Sequence, residues 1–151
     1  MSLLFRYTLG PVQRAVVPLG GRWSRPRPLV LISVIGPSST RPVDGLLDTG
    51  ADDTVFPEHL ATILGLDLTN APIGKLTTAT STNALLRYAQ VHLRISDGKE
   101  QREWPAWVGF TAAKLPFPLL GFAGFLQYFT ATFHGDREQV ELAVNSLYPG
   151  T

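Results

Sequence analysis

Asp48 is the residue whose surroundings point to chemistry. It stands in Leu46-Leu47-Asp48-Thr49-Gly50-Ala51-Asp52-Asp53-Thr54-Val55-Phe56, directly after an apolar run and before a small hydroxyl residue and a glycine. The run drives the chain into a core, and Gly50 permits a tight turn. Asp48 is then held on a loop at the edge of an apolar region, where a lone carboxylate is costly to ionise. That cost is typical of carboxylates used as general acids and bases. The plainer alternative is an aspartate capping an ordinary β-turn, since Asp and Gly are common there. The other aspartates are Asp44, Asp52, Asp53, Asp67, Asp97 and Asp136. None of them has two apolar residues before it and Thr-Gly after it.

The elements that must position Asp48 read as strands. Leu29–Ile35 is rich in β-branched residues and bounded by Pro28 and Gly36-Pro37, the pattern of a buried strand. Val43–Leu47 is a second strand after the turn at Pro37–Pro42. Pro57 suits a first helical position and Gly65 a helix end, which predicts a short helix over Glu58–Leu64. Residues 73–95 form a hairpin with a small, polar tip at Thr77–Asn83. Its outgoing arm alternates strictly after Tyr88, with Ala89, Val91, Leu93 and Ile95 on one face. Asp97-Gly98 marks the next turn. Trp104–Phe110 is a strand that Pro105 confines to an edge or a bulge. Leu119-Leu120-Gly121 ends another strand, Phe122–Tyr128 is a candidate second helix, and strands close the chain around Phe129–Phe133 and Gln139–Val144. Trp107 is expected in the core with its neighbours Trp104 and Phe110, and Phe117, Phe122, Phe125 and Phe129 are assigned to packing by their helical spacing. Short strands, Gly/Pro punctuation and little helix predict an all-β fold. Residues 1–28, with five arginines, are expected to be an extension laid over a main domain at 29–151.

Composition narrows the functions. The 151 residues suit one domain with a proper core, and the absence of Cys excludes a thiolate nucleophile, a disulfide scaffold and any Cys-ligated zinc. His59, His92 and His134 have no metal-ligand spacing, and no nucleophile elbow or phosphate-binding glycine loop occurs. No metal or cofactor is expected. No apolar run approaches the roughly 18 residues of a membrane span, and the start of the chain has no signal-peptide core. A soluble, cytoplasmic protein with no membrane partner is the expectation. Residues 1–43 hold six Arg and no acid, while the remainder carries a balance of −5. Such an arm suits an acidic partner or nucleic acid, but no RNA- or DNA-reading motif accompanies it. Solvated arginines, some paired with acids of the same fold, are the expected reading, with nucleic acid unlikely as a partner.

The segment Leu-Leu-Asp-Thr-Gly-Ala-Asp-Asp-Thr-Val resembles the active-site segment of retroviral-type aspartic proteases, the retropepsins, almost letter for letter. Further matches follow in family order over roughly residues 25–145: Arg27-Pro28-Leu29-Val30, a flap-like hairpin, and Leu119-Leu120-Gly121 as the second hydrophobic-hydrophobic-Gly element. The half beginning Leu120-Gly121-Phe122-Ala123-Gly124 is closer to bacterial retropepsin-like proteins than to viral ones. The resemblance implies a single-lobe acid-protease barrel with a flap hairpin and one or two short helices, active as a two-fold homodimer on peptide or protein substrates. It implies endopeptidase chemistry, in which two facing aspartates share a proton and activate water without a covalent intermediate. One chain supplies one such aspartate, so the mate must supply the other.

By the same resemblance Asp48 is catalytic, Thr49 hydrogen-bonds across the two-fold, and Gly50 offers its carbonyl to substrate. Ala51, Asp52 and Asp53, with Ala79, Thr80 and Ser81 of the flap, contact substrate. Retroviral enzymes follow the second element's Gly with Arg-Asn or Arg-Asp, and that Arg braces the acid at the place of Asp52. Phe122-Ala123 stand here instead, leaving Arg41 or Arg87 as candidate braces. The flap tip, Thr/Ser-rich where the viral one is Gly-rich, and the missing Arg support an alternative: a catalytically silent or self-processing domain that binds peptides or proteins.

Overall fold

Alternating burial along the strands generates a closed barrel. A computed structural model describes residues 2–76 and 84–151. Its strands are β1 (Leu3–Arg6), β2 (Thr8–Val16), β3 (Arg22–Arg27), β4 (Leu29–Ile35), β5 (Thr40–Leu47), β6 (Val55–Pro57), β7 (Ile73–Leu76), β8 (Ala84–Ser96), β9 (Gln101–Thr111), β10 (Leu119–Leu120), β11 (Phe129–His134) and β12 (Gln139–Val144). Helix α1 spans Glu58–Leu64, and 3-10 turns cover Val17–Leu19 and Leu126–Tyr128. Among the described residues β4, β5, β10, β6, β9, β8 and β7 form one sheet in that order. The added pairing of β4 with β8, Ile32 opposite Ile95 and Val34 opposite Leu93, closes the sheet on itself and leaves β7 attached to the far end of β8.

Every second residue points inward. Val30, Ile32 and Val34 of β4, Val91, Leu93 and Ile95 of β8, and Trp104, Ala106 and Val108 of β9 are buried in one core. Leu60, Ala61 and Leu64 of α1 close one side of it. The α1 segment ends at Gly65, whose φ of 81° is the left-handed conformation that favours glycine. Pro57 stands just before the helix as its cap, one residue earlier than its predicted place.

Trp104 anchors the opposite side. Its Nε1 donates to the Gly124 carbonyl at 2.9 Å, and its ring meets Phe125, Phe129 and Tyr148 edge-on with centroids 5.2 to 5.9 Å apart. This is the favoured geometry of aromatic pairs. The same alternation sends Trp107 outward: it is 56% exposed, which corrects its expected core position. Pro105 falls where β9 pairs with β8 alone, so its missing N–H breaks no central ladder. The expected helix over Phe122–Tyr128 reduces to the turn Leu126–Tyr128. Phe122 and Ala123 instead give their backbone N–H groups to the Asp48 loop, and Gly124 has a φ of 93°, outside the helical region. Phe125 and Phe129 are core, whereas Phe122 is 60% exposed.

The N-terminal residues divide in two. β1 pairs with β12 and buries Leu3 completely, so it is a strand of the β1-β12-β11 sheet. β2 and β3 form a hairpin of their own, where Arg22 pairs with Glu138 at 3.1 Å and the Arg27 guanidinium lies over the Phe117 ring. Asp97 ties the β8–β9 turn to β1. Its carboxylate accepts from the backbone N–H groups of Lys99, Glu100 and Leu4, which hold its pKa below the usual range.

Candidate active site

The Asp48 loop is held by a strand threaded beneath it. β5 runs into Asp48, the loop turns through residues 48–54, and β6 leaves it. β10 inserts between β5 and β6, parallel to the first and antiparallel to the second. Close approach there depends on glycine. A Cβ on Gly45 would lie 2.6 Å from Leu120 Cγ. A Cβ on Gly121 would collide with the Asp53 carbonyl oxygen and lie 2.7 Å from that of Ala51.

Backbone bonds then fasten the loop along its length. The Asp48 N–H donates to the Leu120 carbonyl at 3.1 Å, Phe122 N–H to Ala51 at 2.9 Å, Ala123 N–H to Asp52 at 2.8 Å, and Thr54 N–H to Ala123 at 3.1 Å. The Thr54 hydroxyl also donates to the Ala123 carbonyl, at 2.8 Å. Thr54 is fully buried, so this bond satisfies a group that water cannot reach. The second apolar-apolar-Gly element was legible in sequence. The role of Thr54 was missed; a hydroxyl residue before the apolar Val55-Phe56 was its only signal.

Within the loop, Asp48 is half-buried and Thr49 and Gly50 are exposed. The Gly50 N–H donates to Asp48 Oδ1 at 2.9 Å, and no other donor reaches the Asp48 carboxylate among the described residues. Gly50 does not have positive φ. Its use is spatial: a Cβ there would sit 3.3 Å from Asp48 Oδ1, in the way of this contact. Ala51 is 9% exposed, its carbonyl turned to Phe122.

Asp52 is exposed, and no ion pair reaches it among the described residues. Neither candidate brace serves: Arg41 has no bond to it, and Arg87 donates to the Leu68 carbonyl at 3.3 Å. Asp53 accepts instead from the hydroxyl of Tyr88, Oη to Oδ2 at 3.0 Å. Burial first, then Asp53, push the Tyr88 pKa up to about 12, so the hydroxyl remains a donor across the working pH range. In the sequence Tyr88 marks only the point where alternation begins. Ala79, Thr80 and Ser81 lie outside the described residues. Among the described residues no cluster of His, Asp and Glu could hold a metal ion, and no helix is long and apolar enough to cross a membrane. His92 and His134 lie beside Glu103 and Glu141 on the surface sheets.

Residues 33–122 match the sequence profile of a family described as aspartyl protease. Among solved structures, the chain is similar to a retropepsin-like aspartic protease from Rickettsia conorii. The TM-score is 0.52 at 19% identity, covering 94% of this chain and 90% of that one. At that identity the likeness is one of fold. No curated protein matches the chain.

Proposed function

The chain belongs to the aspartyl protease family, and from that premise we propose that it is an aspartic endopeptidase whose site is completed by a second copy. Two Asp48 carboxylates face each other across the two-fold and share a proton. The ionised one takes a proton from water as it attacks the scissile carbonyl, and the protonated one donates to the carbonyl oxygen. Like charges so close do not both ionise easily, so the pair titrates as a unit. Thr49 bonds across the two-fold, and the Gly50 carbonyl, Asp52 and Asp53 receive donors of an extended peptide, with Ala51 and residues 79–81 closing around it. The substrate pairs by its backbone, with alternate side chains in pockets.

The observation that carries the reading is the partly exposed Asp48 carboxylate, oriented by the Gly50 N–H and held on a loop that β10 fixes from below. The test is digestion of a peptide mixture by wild type and Asp48→Asn. Cuts present in the first and absent in the second are expected, and cuts that survive the substitution would overturn the assignment.

Ala51 bears on pH. A hydroxyl at this position offers a donor to the active carboxylate and stabilises its charge; alanine offers none. Activity is expected to peak at mildly acidic to neutral pH, and Ala51→Ser is expected to move the acid limb of the pH–rate profile downward. A limb that moves upward would refute this. A peptide-binding domain without turnover is the second reading, favoured by the absence of a cation paired with Asp52 among the described residues. Binding to wild type with no Asp48-dependent cuts would select it.

A further inference from the structure

Tyr88 stands at the junction of the hairpin stem and the Asp48 loop. Its backbone N–H donates to the Pro72 carbonyl at 2.9 Å, which fastens β8 to the chain entering β7. Its ring lies against Gly74 of β7, where a Cβ would come within 2.6 Å of Tyr88 Cε2 and 2.5 Å of the hydroxyl. Gly74 thus leaves the lane through which the side chain reaches the loop. The ring joins Leu115 and Leu119 around the buried side chains of Val55, Leu76 and Leu86. At its end the hydroxyl meets Asp53 Oδ2, and no donor reaches Asp53 Oδ1 among the described residues.

We propose that Tyr88 is a positioning residue: by fixing one oxygen of Asp53 it holds the other toward bound peptide and sets the side chain preferred at that subsite. This rests on the endopeptidase reading for the place of the peptide. An ionised carboxylate has only acceptor sites. With Oδ2 committed to Tyr88, the remaining oxygen accepts from a substrate donor in one orientation. The tyrosine is neutral, so the negative charge of Asp53 is oriented without being neutralised, unlike a carboxylate paired with arginine. Peptides that bring a Lys, Arg or amide donor to this place are therefore the class favoured. Because Tyr88 belongs to the hairpin stem, the same bond couples the stem to the subsite.

The experiment uses the full chain and a mixture of synthetic peptides of varied sequence. Asp48→Asn examines the peptidase reading by itself, through loss of all cuts. Tyr88→Phe removes one hydroxyl and keeps the ring. A KM raised roughly three- to tenfold with kcat within about twofold is expected, since binding common to ground and transition states is lost. The cut-site profile should lose its preference for donor side chains at one position and keep the others. Tyr88→Phe added to Asp53→Asn should cost little more than Asp53→Asn alone, as for groups acting as one unit. An unchanged KM and profile, or losses that add in full, would overturn the proposal. So would a lower melting temperature with KM and profile intact, which marks a structural bond only. Should wild type make no cuts, the same peptides are titrated against Asp48→Asn with and without Tyr88→Phe. Weaker binding of donor-bearing peptides in the double variant supports the positioning role, and equal or absent binding overturns it.

Discussion

Two apolar regions flank the Asp48 loop, and they are built differently. On one side lies the main core, where Trp104, Phe125, Phe129 and strands from most of the barrel interlock. On the other, beneath the hairpin stem, Val55, Leu76 and Leu86 are the buried apolar residues among those described, with Ala84, Tyr88, Leu115 and Leu119 partly covering them. The first holds the barrel. The second holds β7 and the start of β8 against β6 with far less buried surface, and the Tyr88–Asp53 bond adds one polar tie. Local opening free energy follows buried contact. The stem should therefore open without the barrel unfolding, as the proposed entry of peptide beneath it requires.

The largest expected effect falls on the main core. Trp104→Ala should cost about 3–5 kcal/mol, the range for aromatic truncation in a core, and shift the whole denaturant transition. Leu86→Ala should cost about 2–3 kcal/mol. Its signature should be local: faster amide exchange in β7 and residues 84–88, with the inner part of β9 unchanged. Uniform acceleration across both regions would erase the distinction between them. Gly121→Ala probes the boundary. Its Cβ would meet loop backbone rather than a movable side chain, so a loss of about 1–3 kcal/mol is expected, typical of overpacking, with activity falling further than stability.

The smallest effect concerns alkali. The Tyr88 pKa is raised in the folded chain to about 12 from 10.0, so its share of stability is complete below pH 10 and is lost as pH rises through the folded value. Tyr88→Phe should blunt this alkaline loss in melting temperature. An unaltered alkaline slope would mean that the hydroxyl does not sense the folded state.

Much of this architecture was legible along the chain. β4 coincides with the β-branched run Leu29–Ile35, α1 with the interval between Pro57 and Gly65, and the buried face of β8 with the alternation after Tyr88. These are local signals, in which period and punctuation suffice. Trp107 was misplaced because a large apolar side chain outweighed strand phase, although its neighbours Ala106 and Val108 already held the inward positions. Phe122–Tyr128 was misread because helical spacing of aromatics says nothing about competing backbone partners, here Ala51 and Asp52.

The same division holds at the site. Asp48-Thr49-Gly50 and Leu119-Leu120-Gly121 announce themselves as contiguous residues, since a carboxylate after a buried strand and a glycine beneath a loop are each written in a few adjacent letters. Sequence order also tells that one chain carries one such aspartate. The partner of Asp53 is another matter. Tyr88 lies 35 residues away and reaches Asp53 only because β8 pairs with β7 and β9, β9 with β6, and Gly74 leaves room for the ring. The failure of Arg87 to brace Asp52 has the same origin, its guanidinium being carried to Leu68 by the strand it belongs to. Contacts between distant segments depend on register and on the face each residue takes, and these are properties of the assembled sheet.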